Sequence, residues 1–209
     1  MIELYHAIWA AAMRQAREWE ESGVWRPVIL LNAAPDTIAD PNLIERFLFA
    51  LRRSGLELHQ AVIEALETTL INGKVDMAAI NINSLAECGI ALELDDFGTG
   101  YASLSKLTQL PLSGIKFDRS LIAPQPDQAA DSVVRAILAL AGELGLHVVA
   151  EGIEELEQAE HLNDRGCNVG QGYGFGRPMP PQEFTKWLAI NAESVLHAGP
   201  ETAPVAYRA

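Results

Sequence analysis

The chain has almost no cysteine. Cys88 and Cys167 are the only two in 209 residues, they stand far apart, and they match no metal-finger spacing. A disulfide framework and a thiolate zinc site are excluded, and two buried, reduced thiols are expected. Positive charge is also scarce. Fifteen Lys and Arg face 28 Asp and Glu, for a net charge of -13, which would repel a nucleic-acid duplex rather than steer it in. A small phosphate ligand stays open, because bound divalent cations reverse the local sign. No apolar run approaches the roughly 18 residues of a membrane span. The opening MIELYHAIWAAAMRQAREWEE mixes acids with alternating polar positions, unlike the basic and then apolar regions of a secretory leader. A cytoplasmic chain without membrane contact is the expectation.

What the sequence has is an ordered alternation. A helix over 3–22 stopped by Gly23 leads to PVILLN (27–32), then to a helix from Pro41 to Arg53 with Asp40 as N-cap and Gly55 beyond its end. AVIEAL (61–66), a weaker helix over 75–87, and IALELDD (90–96) follow. After a glycine-rich turn come a helix over 101–110, GIKFD (114–118), and a helix over 128–144 closed by Gly145. HVVAEG (147–152), a helix over 154–165, NVGQGY (168–173) and a last helix over 181–192 complete the series. Short apolar strands alternating with amphipathic helices predict an α/β fold, a parallel sheet with helices outside it. No composition break divides residues 1–192, which read as one domain. Residues 193–209 read as a flexible tail.

Ligands of parallel sheets bind at the carboxyl ends of the strands. Here the strand ends carry Asn32, Glu64 with Glu67 beyond it, Asp95 and Asp96, Lys116 with Asp118, Glu151, and Gln171. Each taken singly fits a capped strand end or a satisfied core polar group. Six successive strands delivering such groups to one rim need a chemical reason. Pooled carboxylates require a counter-ion, and oxygen ligands suit magnesium, manganese or calcium better than zinc. Paired acids could hold two such ions, and Lys116 could position water or stabilise charge on phosphoryl oxygens. Residue types alone therefore point to metal-assisted phosphoester hydrolysis and name no substrate.

The stretch ALELDDFGTGYASLSKLTQLPLSGIKFDRSLI resembles the most characteristic segment of the EAL domain family, cyclic di-GMP phosphodiesterases with a TIM-like barrel. HVVAEGIE and QGYGFGRPMPPQEF resemble its next two motifs in order and spacing, and LLNAA and VIEALETTL resemble two earlier strand ends. The resemblance implies Asn32, Glu64, Asp95 and Glu151 as ligands of a first Mg2+ or Mn2+, with Asp95 bridging to a second that Asp96 serves. It implies Lys116 against the nucleophilic water, Glu67 bracing the loop Asp95–Gly100 that couples dimer contacts to the metals, and Asp118 and Glu154 supporting the site. Gln171 would contact a guanine base. Cyclic di-GMP as substrate, linear pGpG as product, a homodimer and a place in a larger sensor protein are further implications.

The chain also departs from the family. Glu64-Ala65-Leu66 spells the signature tripeptide but sits where a later strand belongs. About six of the eight strands of a closed barrel are visible, so the expected fold is a TIM-like barrel incomplete at its N-terminus. The missing strands would carry a further metal-ligand glutamate and early substrate contacts, which makes a catalytically inactive cyclic di-GMP receptor or interaction module the alternative. Two bare barrel edges also predict swapping between chains. Glu93 stands where a small apolar residue is usual, on the strand face of Asp95, and must be paired or protonated. His147 and the four tryptophans read as structural.

Overall fold

A computed structural model describes residues 2–23, 25–67, 69, 75–98, 107–119 and 128–196. Six strands run through it: β1 (Ile29–Ala33), β2 (Ala61–Leu66), β3 (Ala91–Phe97), β4 (Gly114–Phe117), β5 (His147–Glu151) and β6 (Val169–Gln171). They pair in chain order, every neighbour parallel. Helices α1 (Ile2–Glu21), α2 (Pro35–Ile38), α3 (Leu43–Ser54), α4 (Val75–Glu87), α5 (Gln128–Glu143), α6 (Leu156–Asn163) and α7 (Pro181–Leu196) complete the order. This is the expected incomplete TIM-like α/β barrel, with six strands curving around an interior open between β1 and β6.

The pattern of side chains explains the layers. Helix α1 buries Trp9, Met13 and Ala16, and α3 buries Leu43, Phe47 and Leu51, each set on one helical face. Strand β2, in the middle of the first half, is covered on both sides along most of its length. On the edge strand β1, Leu31 and Ala33 are buried beneath the helices while the alternate residues Leu30 and Asn32 stay exposed toward the open interior. One apolar cluster lies between the first helices and β1–β3, and a second runs from Leu94 through Phe117 and Val148 to Leu162. Trp9 packs edge-on to Phe47 at 5.6 Å, and its Nε1–H donates to the Asn32 carbonyl at 2.9 Å, so the buried indole satisfies its one donor.

Strands β1 and β6 do not pair, yet the two ends of the sheet are tied together. Trp19 Nε1–H on α1 donates to Thr185 Oγ1 on α7 at 2.9 Å. Phe184 lies 5.0 Å from Trp19, 5.8 Å from Trp25 and 5.8 Å from Trp187 between ring centroids. This aromatic clasp joins residues 166 apart in sequence and anchors the last helix against the first. The tryptophans are packing residues, as expected.

Some local expectations are corrected. Helix α3 starts at Leu43 with Asn42 as its N-cap residue, and Asp40 instead accepts the Asn42 N–H at 2.9 Å. Its carboxylate closes the turn ahead of the helix, because Pro41 and Asn42 are spent in that turn. Gly55 ends α3 in the left-handed conformation at φ 78°, where a side chain would be strained. The last helix continues to Leu196. Both cysteines are free, but only Cys167 is buried, and Cys88 is half-buried. Most of the helix expected over 101–110, and residues 197–209 of the tail, lie outside the described residues.

The clasp carries a measurable share of the stability. Phe184→Ala removes the ring shared by three tryptophans and is expected to cost about 2 kcal/mol, less than a fully buried Phe→Ala. Urea unfolding followed by tryptophan fluorescence checks this, and an unchanged midpoint would show that the clasp is ornamental.

Candidate metal centre

The parallel register brings the polar strand ends together. Asn32 and Glu64 are Cα partners on β1 and β2, Asp95 lies opposite Leu66, and Glu151 lies opposite Gln171. Lys116 stands at their centre. Its ammonium is 2.6 Å from Glu64 Oε1 and 3.4 Å from Asp95 Oδ1, and it is also paired with Glu151 Oε1. Lys116 is only 3% exposed and Glu64 only 4%. Burial by itself would lower the lysine's pKa, but the carboxylates of Glu64, Glu151 and Asp95 outweigh it and hold the ammonium well above its usual range. Lys116 is therefore a fixed cation at every ordinary pH.

The acids respond in the opposite sense to burial. Desolvation raises Glu64, opposed by Lys116 and reinforced by Glu93 and Asp95. Burial likewise raises Glu151, opposed by Lys116 and reinforced by Asp95 and Asp96. Asp96 is raised by burial and then by Asp95 and Asp118. One lysine does not neutralise this group of carboxylates.

Adjacent residues of a regular strand point to opposite faces, so Asp95 and Asp96 should diverge. The backbone prevents it. The pairing of β3 with β4 slips between Leu94 and Phe97, and Asp96 adopts φ 58°, the one described non-glycine residue with positive φ. Such a conformation is costly and is stored where a site needs it. Here it lets Asp95, Asp96 and Glu151 each bring an oxygen atom within 4.8 Å of the others. The Asp96 N–H also donates to Asp95 Oδ1 at 3.0 Å. An all-carboxylate set without imidazole or thiolate fits a hard divalent cation.

The sequence matches the EAL domain family over residues 1–178. The chain belongs to that family. It is 38% identical over 181 residues to the bifunctional diguanylate cyclase/cyclic di-GMP phosphodiesterase MucR of Pseudomonas aeruginosa, covering 85% of this chain and 26% of MucR. The solved MucR phosphodiesterase in complex with cyclic di-GMP superposes with a TM-score of 0.79 at 34% identity, over 88% of this chain and 80% of that one. Klebsiella pneumoniae BlrP1, solved with manganese and cyclic di-GMP, gives a TM-score of 0.76 at 28% identity, over 85% of this chain and 44% of that one. The chain spans about a quarter of the length of the first curated relatives it matches.

In this EAL chain the remaining site candidates are placed less tightly. Asn32 is exposed on the edge strand. Glu67 is buried, and its carboxylate has no hydrogen-bond partner among the described residues; Thr99 and Gly100, in the loop it is expected to brace, lie outside them. Asp118 is half-buried and close enough to push Asp96 upward. Glu154 is exposed, and its N–H donates to Gln158 Oε1 at 2.8 Å. Gln171 is exposed and lines a cavity of about 750 Å3 that opens between β1 and β6. Beside it the Arg177 guanidinium sits 4.4 Å over the Tyr173 ring. Sequence reasoning did not single out that pair. It flagged Glu93 but did not find its partner, His147, which lies 54 residues away. No helix among the described residues is long and apolar enough to cross a membrane.

Lys116→Met is expected to destabilise the chelator-treated chain by about 3–5 kcal/mol, because it leaves the buried Glu64 and the half-buried Glu151 without their cation. Both acids have raised folded-state pKa values. The folded state therefore binds protons more tightly than the unfolded one, and the deficit shrinks as pH falls through those raised values. Urea titrations at neutral and mildly acidic pH measure both effects, and a pH-independent loss would contradict the assignment.

Proposed function

We propose that this EAL chain hydrolyses cyclic di-GMP to linear pGpG with Mg2+ or Mn2+. The observation that supports this most directly is the convergence of Asp95, Asp96 and Glu151 within 4.8 Å of one another, beside a lysine that touches two of them. Asn32, Glu64, Asp95 and Glu151 would hold the first ion, and Asp95 with Asp96 the second. Two such ions supply charge neutralisation at the phosphate and activation of water. Lys116, whose ammonium form the surrounding carboxylates favour, would donate, orienting the water or a phosphate oxygen. Water adds to phosphorus, one ring phosphoester bond opens, and the released ribose oxygen takes up a proton. Gln171, at the end of β6, would meet a guanine edge. Glu67, Asp118 and Glu154 support the site from around it. The chain would work as a cytoplasmic module of a larger sensor protein and as a homodimer.

Purified chain with Mn2+ or Mg2+ is expected to convert cyclic di-GMP to pGpG on chromatography, and Asp95→Asn to lose on the order of a hundredfold or more in rate. Intact cyclic di-GMP with both metals would sink the proposal. The open sheet favours one second reading, a receptor that binds without turnover, and calorimetry showing binding with no product would select it. Metal binding needs deprotonated carboxylates, and Asp96 and Glu151 are shifted upward. Mn2+ should therefore raise the melting temperature more at pH 8 than at pH 5.5, and an equal shift at both would contradict these residues as ligands.

A further inference from the structure

Glu64 and Glu93 are Cα partners on β2 and β3. Glu93 faces Gly114 on β4, and Gly114 faces His147 on β5. These four positions form one rung of the sheet and point to one side of it. Two glutamates thus stand side by side in the barrel interior, Glu93 at 0% exposure. Glu64 pairs with Lys116 at 2.6 Å. Glu93 is drawn the other way, with His147 Nε2 2.8 Å from its Oε1, the ring nitrogen donating to the carboxylate.

The imidazole reaches Glu93 by crossing β4, and only a glycine lets it pass. A Cβ at residue 114 would lie 2.3 Å from Nε2 and 2.4 Å from Cε1 of His147. Gly114 is not among the positive-φ residues, so its backbone does not call for glycine. The space for the ring does.

We propose that Gly114, His147 and Glu93 form a positioning unit that holds the Glu93 carboxylate away from Glu64, so that Lys116 stays on Glu64, Asp95 and Glu151. This rests on the reading of those acids as the metal centre. None of the three is a catalytic residue, because none touches the reacting atoms; they act through Lys116. Without the imidazole, Glu93 turns back toward Glu64 and competes for the ammonium. Lys116 is then drawn away from Asp95 and Glu151, which frees carboxylate oxygens for a cation while misplacing the lysine.

The test uses the full chain with 15N-labelled lysine, the Lys116 ammonium signal being assigned by its loss in Lys116→Met. His147→Leu should shift that signal and tighten Mn2+ binding by about three- to tenfold, the lower part of the range for coupled charges, while turnover falls. The double variant Glu93→Leu/His147→Leu should return both signal and Mn2+ affinity to the starting values. Gly114→Ala, which displaces the ring without removing it, should reproduce His147→Leu, be rescued by Glu93→Leu, and serve if His147→Leu does not fold. An unmoved Lys116 signal, or Mn2+ binding that weakens together with stability and is not rescued, overturns the proposal and leaves the pair as packing. The lysine signal requires neither metal nor turnover. A chain that binds no Mn2+ or cleaves nothing therefore counts against the proposed function, and the signal still decides this inference.

Discussion

A single buried ammonium organises the molecule's polar interior. Lys116 sits on the shortest strand of the sheet's middle, β4, and contacts carboxylates from β2, β3 and β5. Four strands are thereby fixed relative to one another at their functional end by charge as well as by backbone pairing. Buried ion pairs of this kind contribute little net stability, yet they fix geometry, because each carboxylate left without the cation would be costly. The same arrangement leaves excess negative charge, since several acids share one lysine. A hard divalent cation is the chemical complement to that excess, and the family's manganese complex accords with it.

The second constraint is the backbone at Asp95 and Asp96. Two successive strand residues serve one site only because the β3–β4 register slips and Asp96 enters the left-handed region. The cost of that conformation is held in place by the covered strands around it, with Leu92, Leu94 and Ile115 buried on either side. The acids of the rim thus depend on the apolar core beneath them.

The sheet's open side is managed differently. The six strands among the described residues leave β1 and β6 as edges, and Leu30 is 40% exposed where a closed barrel would cover it. The aromatic clasp of Trp19, Trp25, Phe184 and Trp187 spans the gap. It restricts how far α1 and α7 can separate, while the interior stays accessible as a cavity lined by Gln171 and its neighbours. Trp25, Phe184 and Trp187 also line that cavity, so the rings that tie the two edges together form part of its wall.

The sequence alone determined the alternation of strands and helices, the parallel class of the sheet, the count of six strands and the rim positions of Asp95, Lys116, Glu151 and Gln171. These follow from local periodicity and from the rule that parallel strands present chemistry at their carboxyl ends. It also marked Glu93 as a carboxylate in need of a partner. Tertiary structure decided what local pattern cannot encode. It decided that His147 crosses Gly114 to reach Glu93, that Asp95 and Asp96 face the same way, that Lys116 holds three acids at once, and that Trp19 meets Thr185 and Phe184. Each joins residues distant in sequence or depends on a strained backbone, and such contacts are fixed only when the whole sheet has closed to its final curvature.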